Sequence, residues 1–121
     1  MVTSDGTFLR VMVDANVLVA GVGWPRWPYE VLQHAVRGDF QLVLTPLVID
    51  EARRSISRLL PDSVDRFEEF LQISRYEEAP TPTKAEVESH ADLMHDPADV
   101  PVALAAMRAE VDCFVTLDRD F

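Results

Sequence analysis

Four carboxylates, Asp14, Glu51, Asp99 and Asp118, occupy positions at which acids do chemistry. Asp14 closes an apolar run, Asp118 falls just past another, Asp99 stands where a third begins, and Glu51 borders the apolar stripe of a helical segment. Each has a plain structural role when taken alone. Asp99 suits a helix N-cap, Asp14 an Asx-turn, Asp118 the start of a turn, and Glu51 a solvated helix face. Together they suit something else. Two unit charges ~4 Å apart repel by about 4 kcal/mol at an effective dielectric of ~20. Converging carboxylates therefore need protons or a divalent cation to neutralise them. Oxygen-only donors favour a hard ion, Mg²⁺ or Mn²⁺, over zinc or copper. Such an ion can activate water, orient a phosphate and stabilise a leaving oxygen.

The elements that must carry these acids follow from the apolar pattern. Residues 8–13 form a short run read as a buried strand ending at Asp14. Asn16 to Ala20 follows, then a loop rich in Gly and Pro over residues 21–25. From Tyr29, the positions Val31, Leu32, Ala35 and Val36 predict a helix stopped by Gly38. Residues 41–44 predict a second strand. Residues 47–60 predict a helix with Val48, Ala52, Ile56, Leu59 and Leu60 on its apolar face and Arg53, Arg54 and Arg58 off it. Pro61-Asp62 breaks that helix and caps the next, whose stripe is Val64, Phe67 and Leu71. Residues 73–76 predict a short third strand. After the turn at 79–83, a helix from Lys84 turns Val87, Ala91 and Met94 inward. His95 to Asp99 is a loop and cap. Residues 100–109 are apolar almost all round and predict a largely buried helix, and residues 113–116 predict a closing strand.

Strands alternating with helices imply a parallel sheet covered on both faces. Ligands of such sheets bind at the carboxyl ends of strands, near a switch in strand order. Asp14 and Asp118 then project at one edge if the first and last strands are neighbours.

The chain has 121 residues, enough for one core, with 48% hydrophobic and 26% charged residues, the composition of a soluble globular domain. Its single cysteine, Cys113, excludes an intramolecular disulfide and a multi-cysteine zinc site. No basic start with an apolar run marks a signal peptide, and no stretch is apolar over the roughly 18 residues that span a bilayer. A cytoplasmic setting without membrane association is the expectation. The net charge of −10 argues against a broad basic surface for nucleic acid.

Three segments carry a resemblance to a known family. Val11-Met12-Val13-Asp14-Ala15-Asn16-Val17-Leu18 is similar to the opening strand of PIN domains. Asp96-Pro97-Ala98-Asp99-Val100-Pro101-Val102-Ala103-Leu104-Ala105-Ala106 is similar to their second acidic segment, and Val115-Thr116-Leu117-Asp118-Arg119-Asp120-Phe121 to their closing strand-and-acid motif. Glu51 falls where the family places its helix-borne acid. Within the family the chain resembles the prokaryotic VapC-like toxin ribonucleases. The resemblance implies a single domain over residues 1–121, a three-layer α/β/α sandwich with a mainly parallel sheet. It also implies that the last strand and helix of that fold are missing, leaving the domain incomplete at its C-terminus. It implies Mg²⁺- or Mn²⁺-dependent hydrolysis of single-stranded RNA, with Asp14, Glu51, Asp99 and Asp118 as the metal-binding and catalytic acids. Thr116 matches the family's hydroxyl residue, Asn16 a supporting position, and Asp96 and Asp120 further acids of the same loops. An antitoxin-like protein inhibitor and a homodimer are likewise implied by the resemblance alone.

Other readings stay open. A PIN-like module with little activity, acting by binding a protein or RNA, is the main alternative. A strand-end Asp-Ala-Asn is also similar to phosphotransfer enzymes of the haloacid-dehalogenase type, but the second Asp of that pattern is here Asn16. Trp24 and Trp27, among Pro25 and Pro28, read first as packing or a protein interface and second as a base-stacking surface. Arg53, Arg54 and Arg58 offer local positive charge for RNA or a solvated helix face. His34, His90 and His95 share no metal spacing, and Cys113 reads as a small buried hydrophobe.

Overall fold

Val11, Met12 and Val13 of strand β1 (Arg10–Val13) are 4%, 0% and 0% exposed, so β1 is covered on both faces. That is why its sequence is a continuous apolar run without alternation. The computed structural model describes residues 8–118.

β1 pairs in parallel with β2 (Gln41–Leu44) on one side and with β4 (Cys113–Val115) on the other, and β2 pairs in parallel with β3 (Glu77–Glu78). The strand order is β3-β2-β1-β4. Met12 lies opposite Val43 in β2 and Phe114 in β4. The chain leaves β1 toward β2 but returns to its other side as β4, so the switch in strand order falls between β1 and β4. The sheet and its helices make the mainly parallel α/β fold expected from the sequence.

Among the described residues, six α-helices join these strands: α1 (Ala15–Gly23), α2 (Trp27–Arg37), α3 (Pro46–Leu59), α4 (Val64–Ile73), α5 (Lys84–Ser89) and α6 (Val100–Arg108). Thr45 starts α3 by accepting the Val48 N–H at 3.1 Å, with Pro46 in the first turn. Gly38 ends α2 in the left-handed region at φ 79°. Thr83 and Glu86 form a capping box on α5. Val48, Ala52 and Ile56 of α3 and Phe67 and Phe70 of α4 enter the core against Leu42, Val43 and Leu44. Burying one such side chain contributes about 1.5–3 kcal/mol.

Several local expectations change. Gly21 and Gly23 lie inside α1, not in a loop, because they sit where a Cβ would meet Leu32 and Leu60. The third strand is Glu77–Glu78, and Ile73 closes α4 with its side chain exposed. Ala91 lies beyond α5 and is exposed. Asp62 sits within a 3-10 turn (Pro61–Ser63), and Ser63 takes the cap position of α4 without a side-chain hydrogen bond. Leu59 and Met107 face solvent. Cys113 is exposed, because β4 is a sheet edge among the described residues. No helix of the described residues is long and apolar enough to cross a membrane.

Candidate active site at the ends of β1 and β4

Parallel pairing carries β1 and β4 to the same edge of the sheet, and a backbone bond from Asp14 N–H to the Val115 carbonyl (2.9 Å) extends the ladder to the last residue of each. Asp14 therefore leaves β1 at the switch in strand order, where a ligand has access to strand ends. It is also the N-cap of α1: its Oδ1 accepts the Ala15 N–H at 2.8 Å. The cap uses Oδ1 alone and leaves Oδ2 to another partner.

Oδ2 of Asp14 accepts a hydrogen bond from the Thr116 hydroxyl at 3.1 Å. The same hydroxyl oxygen accepts the Asp118 N–H at 3.0 Å and Asn16 Nδ2–H at 3.4 Å. Asn16 completes the loop by accepting the Leu117 N–H on its Oδ1 at 3.2 Å. Asp14, Asn16, Thr116 and Asp118 thus form one connected network, although they come from opposite ends of the chain. Asp120 lies outside the described residues.

Glu51 reaches the site from α3, one position before buried Ala52. The residue is exposed as a whole, yet partial withdrawal of its carboxyl from water raises it above the ordinary glutamate value. The facing Asp14 carboxylate raises it further, and Arg54 opposes both. Glu51 and Asn16 line an open groove of about 540 Å³ with Ala15, Val19, Ala20, Trp24, Ser55 and Leu59. Ser55 and the small α1 residues were not singled out from the sequence. Their signal was only helical spacing, Ser55 lying four residues beyond Glu51.

Asp99 stands at the N-cap of α6 but makes no capping hydrogen bond with its side chain. Asp96 takes the capping work one turn earlier, accepting the Ala98 N–H at 2.9 Å from an exposed position. One carboxylate oxygen of Asp99, Oδ2, is out of contact with solvent.

Among the described residues, no three Asp, Glu, His or Cys side chains stand close enough to share a metal ion. The donor set has the chemistry of a hard-cation site: oxygen ligands only, with a glutamate held high first by partial burial and then by the Asp14 carboxylate. Of the three arginines on α3, Arg53 is engaged by Glu68 through two bonds of 2.8 and 2.9 Å, while Arg54 acts on Glu51 and Arg58 is exposed. His34 pairs with Asp39 at 2.7 Å, and His90 contacts Ser89 and the Glu86 carbonyl.

A mainly parallel sheet with its strand switch between β1 and β4 has counterparts among known proteins. The family model described as the PIN domain matches residues 10–120, and the chain belongs to that family. PIN domains are generally metal-dependent nucleases. Among solved structures, the crystal structure of PAE2754 from Pyrobaculum aerophilum is similar, with a TM-score of 0.66 and 21% identity. The match covers 93% of this chain and 76% of that one. No curated protein matches the chain.

Proposed function

We propose that this chain is an Mg²⁺- or Mn²⁺-dependent endoribonuclease that hydrolyses single-stranded RNA. The observation that carries the reading is the Asp14–Thr116–Asp118 network at the strand switch, with Glu51 facing Asp14 from α3. Asp14, Glu51, Asp99 and Asp118 are the residues that would hold the cation. When bound, a divalent ion supplies positive charge to the phosphodiester and makes water a better nucleophile near neutral pH. The chain's own groups do the rest. Thr116 fixes the Asp14 carboxylate, Asn16 fixes the Leu117 backbone beside Asp118, and Glu51 serves as a ligand or as the acceptor of a proton from water.

The test is cleavage of a labelled single-stranded RNA with Mn²⁺ or Mg²⁺, set beside metal-free protein and Asp14→Asn. Metal-dependent cleavage that Asp14→Asn reduces at least ~100-fold supports the reading. Wild-type rates in Asp14→Asn would refute it. A second reading is a module that binds RNA or protein without turnover. Saturable RNA binding with no cleavage in any metal would favour it. The toxin role belongs to the same proposal: growth arrest on expression, relieved by a co-expressed inhibitor protein, is its expected sign.

A further inference from the structure

Trp24 and Trp27 are each 49% exposed, so neither is spent on the core. They flank a tight corner between α1 and α2, in which the Arg26 N–H donates to the Trp24 carbonyl at 3.0 Å and Pro25 restricts the backbone between them. Trp24, Arg26 and Trp27 line one cavity of about 460 Å³ together with Ala20, Pro28 and Leu117. That volume lies in the range of small-ligand pockets. Arg26 makes no ion pair among the described residues. In a chain of net charge −10, it brings a positive charge to a cavity lined by two indole rings.

The cavity continues into the candidate active site. Ala20 and Trp24 belong both to it and to the groove lined by Asn16 and Glu51. Leu117, which also lines the cavity, lies between Thr116 and Asp118, and its N–H is held by Asn16. A polymer lying in the groove beside Glu51 and Asn16 therefore meets the tryptophan corner next.

We infer that the Trp24–Arg26–Trp27 corner is a stacking subsite for unpaired bases of a single-stranded nucleic acid, with Arg26 receiving the intervening phosphate. The ligand class rests on the nuclease reading above; the placement rests on the corner itself. Aromatic rings stack any base, and an adjacent cation complements the backbone. Duplex RNA has no unstacked base to offer and is excluded. A protein partner would use the rings but has no need of continuity with the acids.

The chain contains two tryptophans, so intrinsic fluorescence reports on this corner alone. Oligoadenylate of about ten nucleotides, within the length that single-strand grooves engage, is titrated in EDTA so that no cleavage intervenes. Saturable quenching by the single strand and none by a duplex of equal length is the expected result. Trp27→Ala should weaken binding about tenfold, and Trp27→Phe should restore most of it. Arg26→Gln should lower the salt slope of binding by about one phosphate contact. Absence of quenching, or wild-type affinity in Trp27→Ala, overturns the inference. Wild-type Mn²⁺-dependent hydrolysis of bis-p-nitrophenyl phosphate, which is too small to span both regions, is read separately. Hydrolysis without quenching leaves the nuclease and removes the stacking subsite. Quenching without hydrolysis does the reverse.

Discussion

The Thr116 hydroxyl donates to Oδ2 of Asp14 across 3.1 Å, and it ties the end of β4 to the end of β1. Its oxygen also takes the Asp118 N–H and Asn16 Nδ2–H, so one small side chain sets the position of three others. Thr116→Val keeps the volume but strands both donors. The network is half-buried, so the cost should be about 1 kcal/mol of stability. Loss of a group that orients ligands should reduce metal-dependent cleavage by roughly 10–100-fold. Thr116→Ser should retain most of both. Equal melting temperature and cleavage rate in Thr116→Val would show that the bridge does not orient the site.

Metal binding should be visible without any RNA. The single carbonyl oxygen of Asn can take over the Ala15 N–H as a cap but cannot also accept the Thr116 hydroxyl, so Asp14→Asn should still fold in metal-free buffer at a cost of about 1 kcal/mol. Mn²⁺ at ~100 times its dissociation constant adds about 2.7 kcal/mol, which in a domain of this size raises the melting temperature by roughly 10 °C. The rise should appear in wild type and vanish in Asp14→Asn. Equal shifts in both proteins would place the ion elsewhere.

Legibility in the sequence followed burial. β1 and β2 were readable because strands covered on both faces are unbroken apolar runs, and Asp14 and Asp118 followed from the strand-end rule. β3 was not readable. It has two exposed glutamates, and its place is fixed by pairing with β2 and by the Ala79 N–H bonding to the Leu44 carbonyl, contacts made at a distance in sequence. Gly21 and Gly23 read as a loop because the reason for them is tertiary: α2 and Leu60 approach too closely for a Cβ. The four acids were found by position. How far apart their carboxyls stand depends on side-chain directions and on the turn before α6, which no spacing in the sequence encodes.

The Arg53–Glu68 pair joins α3 to α4 and gives a pH dependence of known sign. Hydrogen bonding to Arg53 lowers Glu68 below its ordinary value. The folded state thus binds that proton more weakly than the unfolded chain does. The contribution is present above the unfolded glutamate value of about 4.3 and is lost as pH falls through the lowered folded value. Both side chains are 40% or more exposed, so screening limits the effect to at most about 1 kcal/mol. Urea midpoints of wild type and Arg53→Gln should differ at pH 7 and converge in acid. A gap that persists at low pH would mean that Arg53 contributes through packing, not charge.

Gly21→Ala sets two effects of opposite sign against each other. Alanine inside a helix gains about 1 kcal/mol over glycine. At this position, however, its Cβ would stand 2.5 Å from Leu32 Cδ1, 2.8 Å from Leu32 Cγ and 3.0 Å from the Pro28 carbonyl oxygen. Leu32 is 4% exposed and cannot swing into solvent, and the carbonyl is backbone. Overpacking costs about 1–3 kcal/mol and should prevail, so the melting temperature falls. Because the clash falls on Leu32 and Pro28, in the first two turns of α2, Trp27 should move with that helix, and the tryptophan emission should change in the folded protein. A higher melting temperature with unchanged emission would mean that α2 shifts at no cost. The tryptophan corner would then owe its position to something other than the closeness of α1 and α2.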